Sequence, residues 1–192
     1  MPEGVALCGA CVVTPPPFER TVASVSYAFP WDRLITRFKF AGDLSLRPAL
    51  AGLLIHAVGA ESENFEAVDW VLPMPVSARG MRERGFNQSW ELARPLAQAL
   101  RLPARHDLLL RWRETEHQTS LSRDARNANL RGAFMPAPGA RASLTGKHVA
   151  LVDDVMTTGV SAAQAAQALL EAGATRVDVW LLARTPEVPA TQ

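Results

Sequence analysis

Residues 149–161 decide the fold: Val149-Ala-Leu-Val152-Asp153-Asp154-Val-Met-Thr157-Thr158-Gly159-Val-Ser161. The four apolar residues Val149 to Val152 predict a fully buried parallel strand. Two carboxylates follow at once, then Thr157, Thr158 and Gly159, then an Ala-rich helix from about Ser161 to Leu170. A strand, a short loop of small hydroxyl residues and a helix start together form an anion cradle. The first N–H groups of the helix lack intrahelical partners, and the helix dipole favours negative charge there. Gly159 allows the backbone to approach a phosphate closely. An acidic pair beside a phosphate site calls for hydrogen-bond donors, and ribose hydroxyls are such donors. The ligand implied is a ribose 5-phosphate. The plainer reading is a buried strand that ends in a solvated polar turn; the Thr-Thr-Gly run in register behind the acidic pair argues against it.

The chain has 192 residues, of which 48% are hydrophobic and 20% charged. That composition supports a sizeable core and excludes disorder. The length predicts one domain over residues 21–192 with a small appendage over 1–20. A formal net charge of +1 gives no overall attraction to nucleic acid or membrane. The charge is uneven, however: between Pro73 and Arg131 there are eleven Arg against six Asp or Glu. Such an excess suits a polyanionic ligand, or else marks an Arg-rich solvated surface. No run of eighteen apolar residues exists, so no membrane span is expected. Met1-Pro-Glu-Gly lacks the pattern of a signal peptide, and two cysteines make no disulfide framework, so the expected compartment is the cytoplasm.

Working outward, Val68 to Leu72 predicts a strand, followed by a loop carrying Arg79, Arg82 and Arg84 and a helix from about Asn87 to Arg101. Val22 to Phe29 predicts a strand. Trp31, Leu34, Ile35 and Phe38 recur at helical spacing, and a second helix runs from Leu46 to Val58. Arg105 to Leu110 predicts a strand, residues 111–130 a long polar segment, Ala133 to Leu144 a variable connection, and Arg176 to Leu182 a last strand. Strands alternating with helices predict a mainly parallel sheet flanked by helices. Ligands bind beyond the carboxyl ends of such strands. The loops after Leu72, Leu110 and Val152 are expected to meet there.

Two further stretches carry chemistry. Ser77-Ala-Arg79-Gly-Met-Arg-Glu-Arg84-Gly-Phe-Asn-Gln88 places a basic, Gly-containing loop before a helix. It suits a second anion, a pyrophosphate, because the planar guanidinium fork binds phosphate oxygens bidentately. A basic helix cap, or a contact to an acidic partner, remains the alternative. Arg111-Trp112-Arg113-Glu-Thr115-Glu-His-Gln118, with Arg123, Arg126, Asn127 and Asn129 behind it, reads as a lid rich in guanidinium and amide donors, or as a basic surface loop. Trp112 within it is placed to stack on a base.

The 149–161 stretch resembles the phosphoribosyl pyrophosphate (PRPP) signature of type I phosphoribosyltransferases. With Trp31, Lys39-Phe40-Ala-Gly42-Asp43, Pro73-Met-Pro75, Arg84-Gly-Phe-Asn-Gln88, Arg111-x-Arg113-x-Thr115-x-x-Gln118 and Arg126-Asn-Ala-Asn-Leu-Arg-Gly-Ala-Phe134, the chain resembles the ComF family of competence-associated, phosphoribosyltransferase-like proteins over residues 22 to 186. The resemblance implies an α/β fold of the type I phosphoribosyltransferase kind. It implies PRPP with Mg²⁺ as ligand: Asp153 and Asp154 on the ribose hydroxyls, Thr157, Thr158, Gly159 and Ser161 on the 5-phosphate, and Ser77, Arg79 and Arg84 facing the pyrophosphate. Arg111, Arg113 and Gln118 would close over it. The reaction implied is displacement of pyrophosphate by a nitrogen nucleophile. The family context is DNA uptake with a helicase-like partner. This gives the other reading, a non-catalytic module that contacts single-stranded DNA. The family's N-terminal zinc knuckles use paired Cys-x-x-Cys motifs. Here only Cys8 and Cys11 are present, two ligands where a structural zinc site needs four.

Overall fold

The computed structural model describes residues 9–61, 67–112 and 132–186. Four strands form one parallel sheet: β1 (Arg20–Ser26), β2 (Trp70–Pro73), β5 (His148–Met156) and β6 (Arg176–Arg184), in the order β1-β6-β5-β2. The helices are α1 (Gly9–Val13), α2 (Trp31–Phe40), α3 (Arg47–Ala60), α4 (Ala78–Arg84), α5 (Gln88–Leu100), α6 (Ala140–Leu144) and α7 (Val160–Glu171). Two short strands, β3 (Leu109–Arg111) and β4 (Phe134–Pro136), pair with each other alone.

The two central strands are buried on both faces, and their alternation divides the core. Val149 and Leu151 of β5, with Val177, Val179 and Leu181 of β6, pack under α7, α6 and the β3–β4 ribbon. Ala150 and Val152, with Trp180 and Leu182, pack under α2, α3 and α5. This is the near-continuous apolar pattern that a two-sided parallel strand requires. The alanines of α7, among them Ala165 and Ala166 with no exposed surface, let that helix lie close on the sheet. On the other face, Ile35 and Phe38 anchor α2 in the core.

Three expectations are corrected. The basic stretch after β2 is not a loop, because residues 78–84 form α4, begun by Ser77 and ended by Gly85 at φ +79°. The strand after Arg105 does not join the parallel sheet. Only Ala104 bridges β2, and the chain then turns into the antiparallel β3–β4 pair, so the segment after Leu110 is not at the carboxyl end of a parallel strand. The stretch 133–144 is no variable connection either. It supplies Ala133, Phe134, Ala140 and Leu144 to the core, in two elements too short for periodicity to show.

Candidate functional site

The site lies where β5 meets α7. β5 runs four residues past the apolar run, so Asp153 and Asp154 belong to the strand itself. Asp154 is 2% exposed. Its Oδ2 faces Lys39 Nζ of α2 at 2.8 Å. Asp153 Oδ1 accepts from Ser89 Oγ of α5 at 3.0 Å and from the backbone N–H of Asp154 at 2.9 Å. Burial, and then the neighbouring Asp154 charge, push the Asp153 carboxyl up to about 7, against the pull of Lys39. Two adjacent carboxyls in a desolvated place resist double ionisation.

Beyond the pair lies a polar cavity of about 60 Å³, lined by Asp153, Met156, Thr157, Thr158, Gly159 and Ser161 among others. That is several times the roughly 10–15 Å³ a single water requires. Gly159 is the N-cap of α7 at φ +78°, and no side chain caps the helix. The free N–H groups of its first turn are therefore available to an anion. Both threonines are exposed and Ser161 is half-buried in the first turn.

The basic stretch contributes unequally. Ser77 Oγ accepts from Gly80 N–H at 3.1 Å as the cap of α4. Arg79 is paired with Glu83 at 2.6 Å on an exposed face. Arg84 turns towards α5, its Nη1 donating to Gln88 Oε1 at 2.9 Å and its guanidinium lying 5.6 Å from the Phe40 ring. Asn87 caps α5 by accepting from Ser89 N–H and Trp90 N–H, and its Nδ2 donates to Met74 O after β2. This places Ser89 on the acidic pair. Arg111, at the end of β3, stacks at 5.6 Å over Phe134. Burial lowers its pKa, the Asp153 carboxylate supports its charge, and Arg84 opposes it, so the two guanidiniums flank the same region. Trp112 is 59% exposed. Arg113 and Gln118 lie outside the described residues, as does Cys8. Cys11 sits half-buried on α1. Among the described residues no three His, Cys, Asp or Glu side chains cluster as a metal site, and no helix is long and apolar enough to cross a membrane.

Sequence reasoning missed Lys39 and Ser89, which hold the acidic pair from two different helices. Lys39 stood in one of the stretches that carry the family resemblance, but with no role attached, as a charge in the last turn of an amphipathic helix directly after a core phenylalanine. Nothing local connects it with a residue 115 positions away.

Residues 87–190 match the model of the phosphoribosyl transferase domain. The chain belongs to this family, in its ComF group. It is 37% identical to the DNA utilization protein YhgH of Escherichia coli (strain K12), over 93% of this chain and 78% of that protein. It is 32% identical to Competence protein F of Haemophilus influenzae, over 92% and 78%. With Competence protein ComFC of Bacillus subtilis it shares 30% identity, over 72% and 53%. Its fold is the mainly parallel α/β sheet of type I phosphoribosyltransferases, with the acidic pair at the carboxyl end of a central strand.

Proposed function

We propose that this chain binds PRPP together with Mg²⁺ and transfers its phosphoribosyl group to a nitrogen nucleophile. The observation that carries this reading is an acidic pair, Asp154 buried and Asp153 half-buried, adjoining a polar cavity of about 60 Å³ at the uncapped start of α7. The 5-phosphate takes the N–H groups of the first turn of α7 and the hydroxyls of Thr157, Thr158 and Ser161. The ribose hydroxyls donate to Asp153 and Asp154. Arg84 and Arg111 face the pyrophosphate, with Ser77 and Arg79 at the outer edge and Arg113 and Gln118 closing from the following segment. The nitrogen lone pair forms the new bond to C1 while the C1–O bond breaks, its electrons leaving on pyrophosphate and the nitrogen's proton passing to solvent. No side chain acts as a covalent nucleophile, so positioning and electrostatics supply the rate.

The described residues offer no all-protein cage for a divalent cation. Mg²⁺ commonly enters such sites on substrate phosphates with its own waters, and that mode suits this donor set. When bound, it would neutralise charge on the departing pyrophosphate. A zinc role for Cys8 and Cys11 would require ligands beyond these two. The names of the relatives support a role in DNA utilization or competence; a cytoplasmic setting and a helicase-like partner belong to the same reading. An exposed Trp112 next to Arg111 supports the second reading, a module that touches single-stranded DNA without turnover.

Calorimetric titration of PRPP with Mg²⁺ tests the first reading. Binding is expected, and Thr158→Val should weaken both PRPP and ribose 5-phosphate by about 1.5–3 kcal/mol, the value of a hydrogen bond to a charged group. Pyrophosphate release in the presence of nucleobases then separates turnover from binding. No binding by the folded protein would end the proposal, and binding without pyrophosphate release would favour the second reading.

A further inference from the structure

The acidic pair is gripped from outside its own loop. Lys39 reaches Asp154 Oδ2 from α2, and Ser89 reaches Asp153 Oδ1 from α5. Each grip engages one oxygen of one carboxyl. Among the described residues, Asp153 Oδ2 and Asp154 Oδ1 meet neither a hydrogen-bond donor nor a cation, while Asp154 Oδ2 meets Lys39 as an ion pair without a hydrogen bond.

Both grips are fixed by the fold. α2 is pinned by Ile35 and Phe38, and its far end is closed by the Arg37–Asp43 pair at 2.6 Å. Lys39 Nζ also lies 5.8 Å from the exposed Phe40 ring, and the Lys39 side chain itself is mostly covered. Ser89 has no exposed surface and is held by the Asn87 cap. The charged groups facing the pair come from every packed element: Asp154 against Asp153 within β5, Lys39 from α2, and Arg111 from β3, with Arg84 of α4 beside Arg111. Of these, Lys39 makes the direct contact.

We propose that Lys39 is a positioning residue of the acidic pair: with Ser89 it occupies one oxygen of each carboxyl and presents the other two to a vicinal diol. It also supplies the counter-charge that lowers the pH at which the two neighbouring carboxyls give up the proton they share. A pair that keeps a proton offers a donor where a hydroxyl needs an acceptor. Lys39 thereby makes the state of α2 part of ligand recognition. The assignment of the diol to a ribose rests on the proposed function; the electrostatic role of Lys39 does not.

The test uses the full chain labelled with ¹³C at the aspartate carboxyl carbons. In the ligand-free protein, Lys39→Met should move the upper titration of the pair to higher pH by at least one unit, and Lys39→Arg should restore most of it. A folded Lys39→Met protein with an unchanged titration overturns the proposal. Should Lys39→Met not fold, Lys39→Gln serves instead: it keeps a polar side chain but removes the charge, and an unmoved titration there overturns the proposal equally. With PRPP and Mg²⁺ as probe, Lys39→Met should lose at least tenfold in affinity at neutral pH and recover part of it at higher pH. A loss that does not change with pH would reduce Lys39 to a structural contact. Failure of the wild-type protein to bind PRPP defeats the proposed function and leaves the titration arm standing.

Discussion

Asp153→Asn should change how stability depends on pH. Asp153 is raised from 3.8 to about 7, first by burial and then by Asp154. A carboxyl raised in the folded state holds its proton more tightly than in the unfolded chain. Its contribution is therefore fully present below about pH 4 and is lost as pH rises towards about 7. The slope is at most about 1.4 kcal/mol per pH unit, so the whole shift has a ceiling of about 4 kcal/mol. Asp153 keeps some solvent contact and titrates together with Asp154, which brings the expected loss to about 2–4 kcal/mol. The amide variant does not titrate in this range, and its carbonyl oxygen can still accept from Ser89. Urea unfolding of both proteins at several values between about pH 5 and about pH 8 isolates the titration of the pair, because groups that do not interact with it cancel in the difference. The stability of the wild type relative to Asp153→Asn should fall across that window. A difference that stays constant would refute the placement of a desolvated, proton-holding carboxyl at the end of β5.

Gly159→Ala forces an L-residue to φ +78°, where strain costs about 1–2 kcal/mol. The added Cβ would sit 3.6 Å from Met156 Sδ, an ordinary contact, so the loss is backbone strain and should be read directly in urea unfolding. Asn87→Ala removes the cap of α5 and the bond to Met74 O, and should cost about 1–2 kcal/mol in the same assay. It should also loosen Ser89 on Asp153, detectable as a shifted carboxyl titration.

Much of this protein is written locally. The run from Val149 to Val152 needed a sheet with two covered faces, and β5 has both. Trp31, Ile35 and Phe38 carried helix spacing, and α2 follows them. Asn87 before an amphipathic run marked the start of α5, and Gly159 marked that of α7. Apolar periodicity and capping chemistry act over a few residues, so a sequence displays them. Where a pattern was short or polar, the sequence misled: Gly80 within a short basic stretch disguised α4 as a loop, and β4 and α6 passed for a linker.

The sequence by itself also determined the buried strand, the acidic pair near its end and the Thr-Thr-Gly turn that follows, because all three come from contiguous residues 149–161. Only the tertiary structure decided what surrounds that pair. It selected Arg84 over Arg79 by turning one guanidinium inward and leaving the other on Glu83. It placed β3 in a ribbon outside the parallel sheet, which brings Arg111 to Asp153 from the side. It set Lys39 and Ser89 on the two carboxyls from α2 and α5. The physical reason is range. Backbone propensity is settled among near neighbours, whereas charge and desolvation act between whichever side chains packing brings within a few ångströms, however far apart they lie along the chain.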